Sequence, residues 1–311
     1  MTTRAGSRRV IEGALCLAAA ATALAAAPAA PRFDGGRAYD HLRQVVSFGP
    51  RPAGSAALES TRAFIRRQLA ADGIQVVEQP FDAETPVGRL HMVNLIARIP
   101  GASPDRLVFA GHYDTKRYRE FRFVGANDAG SSTAFLIEWG RVVKARKNPL
   151  TIELLFLDGE EATLPEWDVT TSDHTYGSRH YVEAAKKDRT LGGLKAMILV
   201  DMIGDRDLRI MRETYSSPWL TGAIWAAARR LNLGEVFVDR ATAIEDDHLP
   251  FLEAGVQAVD IIDLDYPPWH TAADTLDKVS ARSLQVVGDV LLEALPAIER
   301  RAAARSGRAG S

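Results

Sequence analysis

The sequence has almost no cysteine and no excess of charge of either sign. Its 311 residues include one cysteine, 38 lysines plus arginines and 40 aspartates plus glutamates, so the net charge is −2. Because a single thiol can form neither an internal disulfide bond nor a multi-thiolate metal site, any metal must be held by oxygen and imidazole ligands. The balanced charge excludes the basic surface that nucleic-acid binding requires, and we expect no nucleic-acid partner.

Motifs of several common enzyme classes are also absent. The chain has no glycine-rich phosphate loop, no GxSxG nucleophile elbow and no HExxH helix. Nucleotide binding, serine hydrolysis and the HExxH type of zinc proteolysis therefore have no residues to carry them. The 46% hydrophobic content is ordinary for a globular enzyme with an ample core.

The first thirty residues have the pattern of an export signal. Arg4, Arg8 and Arg9 precede an apolar, alanine-rich stretch over residues 13–27, and two prolines follow. A basic head and a short apolar region are typical of a secretory signal peptide, since a membrane-spanning helix needs ~20 apolar residues. We therefore assign residues 1–30 to a signal peptide and short linker, and expect an exported protein, periplasmic or secreted, with no stable membrane insertion after signal removal. An uncleaved membrane anchor is the alternative.

Beyond residue 30, predicted strands alternate with predicted helices. Helical patterns cover residues 58–69, 131–143, 176–187, 219–231 and 280–300. Apolar and β-branched runs predict strands over residues 74–77, 92–99, 107–110, 151–157, 197–200 and 256–262, several of them almost continuously apolar. We therefore predict an α/β fold with a single domain over residues 31–300, in which a mostly parallel, mixed central sheet carries helices on both faces. A disordered tail is predicted over residues 301–311.

Acidic and imidazole side chains follow four of the predicted strands. In chain order they are His112, Asp114, Asp158, Glu160, Glu161, Asp201 and His270. Because ligands of parallel α/β sheets sit at the carboxyl ends of the strands, we expect these side chains on one rim of the sheet. Asp128 joins them from a loop bordered by Gly125 and Gly130, just before a predicted helix, where a purely structural role as N-cap is the alternative.

Three of these residues form a set that suits a metal ion. Asp128, Glu161 and His270 offer two carboxylates and one imidazole, a donor set that suits Zn²⁺ with one position left for substrate or water. Neighbouring residues on an extended segment point in different directions. Glu160 can therefore face the substrate as proton acceptor and donor while Glu161 binds the metal. The alternative for this pair is that the two glutamates only begin a helix.

Seven segments of the chain form a wider pattern of motifs. They are GHYDTK at 111–116, GANDAGSS at 125–132, LLFLDGEEA at 154–162, YGSRH at 176–180, LVDMIGD at 199–205, IEDDHLPFL at 244–252 and PPWHT at 267–271. This pattern resembles the glutaminyl-peptide cyclotransferase family, whose members are zinc enzymes related in fold to zinc aminopeptidases, and it extends from about residue 38 to the C-terminal helix. The resemblance implies conversion of N-terminal glutamine to pyroglutamate with release of ammonia. Peptide or protein N-termini would be the substrates, and we assume a monomer.

The resemblance also implies a role for each matching residue. One zinc ion per chain is expected, and its ligands would be Asp128, Glu161 and His270. The residues of the acid–base network would be Glu160, as general acid and base, with Asp201 and Asp246. The walls of a small pocket for the glutamine side chain would be Trp167, Tyr266 and Trp269.

Two features depart from the pattern of the animal members of this family. Where those members have a histidine on the strand before the final ligand, this chain has Asp260. The disulfide bond near their active site cannot form here, because the only cysteine is Cys16.

Two other functions stay open. In a two-zinc aminopeptidase of the same fold, His112 and Asp201 would hold a second metal bridged by Asp128, and Glu160 would activate a bound water. In a catalytically silent binding module the fold would persist without turnover. Loss of metal ligands would be the sequence mark of such a module, and the rim positions are intact.

Overall fold

The computed structural model describes residues 1–2, 32–167 and 171–306. The chain divides into two units, Met1–Ala30 and Pro31–Ser311, and every helix and strand given below lies in the second unit. The proposed signal peptide falls almost entirely on residues 3–31, outside the described residues, so it stays a prediction. Among the helices that the structure describes, none combines the length and the apolar character needed to cross a membrane.

The strands form one mixed sheet and one short pair. In chain order they are β1 (Val76–Thr85), β2 (Gly88–Ile99), β3 (Ser103–His112), β4 (Leu150–Leu157), β5 (Leu194–Asp201), β6 (Ile210–Glu213), β7 (Phe237–Thr242) and β8 (Ala258–Ile262). Within the described ranges, the larger sheet has six strands in the order β1-β2-β4-β3-β5-β8. β3, β4, β5 and β8 run parallel, whereas β2 pairs antiparallel with both β1 and β4. The predicted mostly parallel, mixed sheet is confirmed.

Helices cover both faces of this sheet. They are α1 (Gly35–Ser47), α2 (Ala56–Ala71), α3 (Gly130–Lys144), α4 (Tyr176–Lys187), α5 (Pro218–Arg230), α6 (Leu249–Glu253) and α7 (Ala281–Ser306). On β3, Leu107 and Phe109 pack in an apolar cluster with residues of α1, α2, α3, α5 and α7, while Val108 and Ala110 pack in a second cluster with residues of α4 and α6. Successive side chains of a strand point to opposite faces, so the two helix groups lie on opposite faces. The predicted α/β fold with helices on both faces is confirmed.

The central and edge strands differ in how well their sequences predict them. Every residue of β4 is buried, in keeping with its continuous apolar run. β1 lies at the edge of the sheet and alternates between exposed and half-buried positions. The short apolar run at residues 74–77 therefore marks only the beginning of a strand whose remaining residues are largely polar.

The predicted disorder of the C-terminal tail is wrong for residues 301–306. α7 continues to Ser306, because Ala302 is buried in the larger apolar cluster and the Arg301 guanidinium lies 5.1 Å from the Trp219 ring centroid. These contacts give the last turns of the helix a surface to pack on. Residues 307–311 lie outside the described residues.

The short parallel pair of β6 and β7 has no counterpart among the predicted strands. β6 is four residues long, and β7 is exposed over much of its length, so neither carries the apolar run that marks a buried strand. Both strands end close to the chemical site, since the segments that follow them line the same cavity as Asp246. The pair therefore adds a wall that the sheet alone does not supply.

Candidate active site

The polar residues that follow the strands meet at the carboxyl edge of the sheet. His112 and Asp201 are the last residues of β3 and β5, Glu160 and Glu161 follow β4, and His270 lies in the loop after β8. All five are buried or half-buried. Their carboxylate and imidazole groups therefore interact mainly with one another.

Asp128, Glu161 and His270 form a group that can hold a metal ion, here called the metal group. One ligand atom from each lies within 4.8 Å of the other two. His270 Nε2 is 3.3 Å from Asp128 Oδ2 and 3.3 Å from Glu161 Oε1. Asp128 Oδ2 and Glu161 Oε2 are buried and make no hydrogen bond with the described residues. Since a buried carboxylate oxygen without a partner is costly, these lone pairs fit a cation, and the oxygen and nitrogen donors suit Zn²⁺.

The loop that carries Asp128 is held by a buried aspartate. Asp274 accepts hydrogen bonds from the backbone N–H groups of Asn127 and Asp128, at 2.8 and 3.2 Å. At the start of the loop Gly125 has a φ of 51°, and a Cβ atom there would lie 1.8 Å from the carbonyl oxygen of Asp128. Only glycine allows this close approach. The N-cap residue of α3 is Ala129, and no side chain caps the helix, so the N-cap alternative does not describe Asp128.

Arg51 fixes the same loop through carbonyl groups. Its Nη1 and Nη2 donate to the carbonyl oxygens of Val124 and Gly125 at 2.6 and 2.9 Å, and its Nε donates to the carbonyl oxygen of Tyr113 at 3.1 Å. Burial lowers the pKa of Arg51 to about 10, with nearby carboxylates such as Asp274 opposing the shift. The guanidinium therefore stays charged at neutral pH and links the end of β3 to the Asp128 loop.

Glu161 is oriented by Lys116, which is itself buried. The backbone N–H of Lys116 donates to Glu161 Oε1 at 3.0 Å, and Lys116 Nζ lies 3.8 Å from Glu161 Oε2. The same ammonium group donates to the carbonyl oxygens of Ala162 and Leu164, both at 3.2 Å. Lys116 thus ties the glutamate to the segment that leads to Trp167.

The His270 ring lies among aromatic side chains. Trp269 stacks on it with ring centroids 4.2 Å apart, and the rings of Phe123 and Tyr118 meet it edge-on at 5.9 and 6.1 Å. Burial alone would lower the pKa of His270, but Glu161 and a neighbouring aspartate raise it to about 10. Packing and charge together hold the imidazole against the two carboxylates of the metal group.

Glu160 is buried beside the metal group. Its backbone N–H donates to Asp114 Oδ1 at 3.3 Å, and its Oε2 lies 3.7 Å from His112 Nδ1. Burial raises the pKa of Glu160 well above its usual value; His112 opposes the shift, while Asp246 and Glu161 add to it. A carboxyl group with a raised pKa can accept and release a proton near neutral pH, as a general acid and base must.

His112 connects the metal group to the acids around Glu160. Its Nε2 lies 3.1 Å from Asp128 Oδ1 and 3.2 Å from Asp201 Oδ1. These three residues form a second group whose ligand atoms lie within 4.8 Å of one another, and it is the group that the two-zinc alternative requires. Burial alone would lower the pKa of His112, but Asp201 and Glu160 raise it well above its usual value.

A second layer of buried acids continues from Asp201. Burial raises the pKa of Asp246, and Asp201 adds to the rise. Asp260, on β8, has both carboxylate oxygens buried without a hydrogen bond to the described residues. His248 lies beside it, with Nδ1 3.9 Å from Asp260 Oδ2 and Nε2 3.1 Å from Glu213 Oε2. The position where the animal members carry a histidine is thus an aspartate here, and an imidazole reaches it from the neighbouring α6 segment.

These groups open into a cavity of about 360 Å³. Its lining includes the metal group, the two tryptophans Trp167 and Trp269, and the acids Glu160, Asp201 and Asp246. Eight of the nine residues to which the sequence assigns a role in the site therefore line one cavity.

Tyr266 does not line this cavity, contrary to the expectation that it walls the glutamine pocket. Its side chain is buried, and its hydroxyl donates to Asp274 Oδ1 at 2.7 Å. The backbone N–H of Trp269 donates to the carbonyl oxygen of Tyr266, which closes a turn over two prolines and places the two rings in different surroundings. Tyr266 therefore supports the aspartate that holds the Asp128 loop, and its side chain packs in one apolar cluster with Met202, Ile244 and Ile262, which line the cavity.

The sequence patterns do not identify three supporting residues, which are Arg51, Lys116 and Asp274. Each acts on backbone groups or orients another side chain, and none has the position of a ligand at a strand end. Their distinguishing property is burial, which a single sequence does not report for charged residues. Lys116 lies inside the GHYDTK motif and Asp274 follows His270 by four residues, so motif neighbourhood is the signal that could have found them.

Comparison with known proteins gives three concordant findings. Residues 94–295 match the model of Peptidase family M28. The crystal structure of a glutaminyl cyclase from an Acidobacteriales bacterium is 42% identical to this chain, with a TM-score of 0.82 over 88% of this chain and 98% of that one. A glutaminyl-peptide cyclotransferase-like protein of Mus musculus is 31% identical over 72% of this chain, and a glutaminyl-peptide cyclotransferase of Drosophila melanogaster is 28% identical over 75% of it. The matches cover 66% of the mouse protein, just under two thirds of its length, and 73% of the fly protein.

Proposed function

The chain belongs to peptidase family M28 and to the glutaminyl cyclases, and on that premise we propose that it converts the N-terminal glutamine of peptides or proteins to pyroglutamate with release of ammonia. The proposal makes it a zinc-dependent acyltransferase with one zinc ion per chain. The observation that carries it is the metal group with Glu160 beside it, both opening into a cavity that two tryptophans line.

Zinc is assigned to Asp128, Glu161 and His270. Two buried carboxylate oxygens of this group lack hydrogen bonds to the described residues, which supports the assignment. When bound, the metal supplies positive charge that polarises the γ-amide carbonyl of glutamine. Arg51 and Asp274 keep the Asp128 loop in place, and Lys116 keeps Glu161 in place.

Glu160 moves the proton in the proposed reaction. The α-amine nitrogen attacks the γ-carbonyl carbon, and one proton passes from that nitrogen to the Glu160 carboxylate as the ring closes. The same proton then passes to the amide nitrogen, the bond from the carbonyl carbon (Cδ) to that nitrogen breaks, the carbonyl double bond re-forms, and ammonia leaves. The raised pKa of Glu160 suits both transfers; the buried Asp246 adds to that rise, and Asp201 in turn raises the pKa of Asp246.

The two tryptophans hold the glutamine side chain in the conformation that ring closure requires. Ring closure is intramolecular, so the glutamine side chain must fold back until its carbonyl carbon (Cδ) meets the α-amine of the same residue. Trp167 and Trp269 line the cavity beside the metal group and can hold the side chain in that folded form. Holding reacting atoms in place is worth a large part of the rate in such reactions.

The test is incubation of the purified protein with a glutamine-initiated peptide and a matched leucine-initiated peptide. We expect mass spectrometry to show loss of one ammonia from the first and no change in the second, and metal analysis to give one zinc per chain. Release of leucine together with two metals per chain would support the aminopeptidase alternative, which the second group of ligands around His112 could serve. Zinc uptake without turnover of either peptide would support the silent binding module.

We also infer that the enzyme is exported. The support is the basic head and apolar stretch of residues 1–30. N-terminal sequencing of the protein recovered from periplasm or medium tests this. The expected start lies within residues 25–31, and a mature chain that begins at residue 1 would contradict signal cleavage.

A further inference from the structure

The cavity continues beyond the metal group to a wall that the proposed reaction does not use. Tyr215, Ile244 and Glu245 form this wall, from the segments that follow β6 and β7, and we call it the second-residue wall. We propose that the second-residue wall binds the side chain of the residue that follows the N-terminal glutamine, and that it favours a basic side chain over an acidic one. The inference rests on the proposed cyclisation and specifies the class of peptide that the same site prefers.

The cavity is larger than a glutamine side chain requires. Its volume is about 360 Å³. The five non-hydrogen atoms of a glutamine side chain, at an upper figure of roughly 30 Å³ each, fill about 150 Å³. More than half of the cavity is therefore left for the peptide backbone and a second side chain, and the second-residue wall is part of the lining that this side chain can contact.

A buried carboxylate holds the second-residue wall in place. Glu213 Oε1 accepts hydrogen bonds from the backbone N–H groups of Tyr215 and Ile244, at 2.8 and 3.5 Å. Its other oxygen, Oε2, accepts from the Ser216 hydroxyl at 2.8 Å and lies 3.1 Å from His248 Nε2. One anchor thus joins the segments after β6 and after β7, so the wall is formed before substrate arrives. A binding surface that is already ordered loses little entropy when it is occupied.

The side chains of the second-residue wall favour a basic second residue. The Tyr215 ring is 51% exposed, and Glu245 is half-buried with no ion pair to the described residues. A carboxylate in this position attracts the ammonium or guanidinium group of a second residue and repels a carboxylate. The tyrosine face can stack with a guanidinium group, and Ile244 offers an apolar surface to the methylene stem of lysine or arginine.

No side chain of the cavity offsets the Glu245 carboxylate. The described residues that line the cavity include no lysine or arginine, and the one imidazole among them, His270, belongs to the metal group. An acidic second residue would therefore meet the Glu245 carboxylate with no cationic side chain of the second-residue wall to pair with.

The experiment compares kcat/KM for three peptides that begin Gln-Arg, Gln-Ala and Gln-Glu and are otherwise identical. We expect kcat/KM to be ~5-fold higher for the Gln-Arg peptide than for the Gln-Glu peptide, because a contact between two partly exposed charges has an effect of this size. The second side chain takes no part in the bonds that form or break. The difference should therefore appear in KM, with kcat similar for all three peptides.

Two variants of Glu245 test the source of the preference. Glu245→Gln should bring the ratio of the Gln-Arg and Gln-Glu values to about 1, and Glu245→Lys should invert it. The matched control is Glu235→Gln, an exposed glutamate in the loop after α5, which should keep the wild-type ratio. Thermal unfolding shows whether each variant is folded. If Glu245→Lys does not fold, the ratio of the Gln-Arg and Gln-Glu values for Glu245→Gln decides whether Glu245 is the source of the preference.

The outcomes separate this inference from the proposed function. Equal kcat/KM values for the three peptides with wild-type enzyme, or a ratio that neither Glu245 variant changes, overturn the inference and leave the cyclisation intact. Ammonia release from none of the three peptides overturns the proposed function and the inference together. An ordered preference for arginine that Glu245→Lys reverses supports both.

Discussion

Two parts of the cavity lining are built in different ways. The metal group lies on segments that follow strands of the central sheet, and its Asp128 loop is fixed from within the core by Arg51 and Asp274. The second-residue wall comes from segments after the short β6–β7 pair, which lies outside the central sheet, and the Glu213 carboxylate and a backbone hydrogen bond from Thr214 to Thr242 join those segments. In the proposed enzyme, the sheet therefore positions the reacting groups, and the added pair of strands positions the residues that choose the substrate.

Removal of a metal ligand should have the largest effect. His270→Ala is expected to lose both zinc and turnover, with kcat/KM at least ~10⁴-fold lower, because metal polarisation is worth several kcal/mol and each 1.4 kcal/mol is a factor of ten. Metal analysis and ammonia release measure the two losses. The matched control is His91→Ala, an exposed histidine on β2 that pairs with Asp82 and should keep both properties. A His270→Ala protein with bound zinc and full turnover would contradict the ligand assignment.

Single substitutions of the two neighbouring glutamates, Glu160 and Glu161, should give the next largest effect. Glu160→Gln is expected to keep zinc but to lower kcat by ~10²–10⁴-fold, because the amide cannot carry the proton. Glu161→Gln at the adjacent position is the matched comparison and should lose zinc as well, because it removes a charged ligand. Zinc content and ammonia release, measured together, distinguish the two. An active Glu160→Gln enzyme would show that the proton takes another route.

The metal group and the acids beside it could be predicted from the sequence because their residues have a position that the fold defines. Asp201 follows the apolar run of β5, and the glutamate pair follows that of β4, so a parallel sheet must bring them to one edge. The second-residue wall could not be predicted in this way. Its segments meet through the pairing of β6 with β7 and through hydrogen bonds to Glu213, and nothing in a four-residue strand such as β6 indicates which distant segment it pairs with.

Tyr266 shows the limit of reasoning from a family resemblance. The resemblance assigns both Tyr266 and Trp269 to the wall of one pocket. A turn between them directs the tyrosine hydroxyl to Asp274 and leaves the tryptophan in the lining of the cavity. The resemblance therefore predicted the region of the site but not the contact of this side chain.

The variant Tyr266→Phe tests the supporting role of Tyr266, and its expected effect is intermediate in size. The variant loses the hydrogen bond to Asp274, which supports the backbone of Asp128, so we expect ~10-fold weaker zinc binding with KM for glutamine peptides unchanged once zinc is saturating. Zinc affinity can be measured by competition with a chelator. Tyr181→Phe, which loses a hydrogen bond to Glu153 within β4 and none to a residue of the site, is the control and should bind zinc normally. A raised KM with normal zinc affinity would instead restore Tyr266 to the substrate pocket.

Glu213→Gln should have the smallest effect on chemistry and act on the second-residue wall. Tyr215 and Ser216 donate to different oxygens of Glu213, and the amide keeps only one acceptor oxygen, so it can retain one of these contacts and also removes the charge that faces His248. We therefore expect normal zinc content, less than ~3-fold change in kcat for a Gln-Ala peptide, and a free energy of unfolding lower by about 1–3 kcal/mol at pH 7.

The loss of unfolding free energy in Glu213→Gln should depend on pH, because the stabilising interaction depends on the negative charge of Glu213. Burial alone would raise the pKa of Glu213, but hydrogen bonds from His248 and from the backbone lower it from 4.5 to about 2 in the folded protein. Its stabilising contribution is therefore complete above the unfolded pKa and is lost as the pH falls from about 4.5 towards 2. Urea unfolding should show the largest difference between wild type and Glu213→Gln at pH 7, and a smaller one at pH 3, with Glu235→Gln near zero at both. A difference that is the same at the two pH values would mean that the glutamate holds the second-residue wall by its shape and not by its charge.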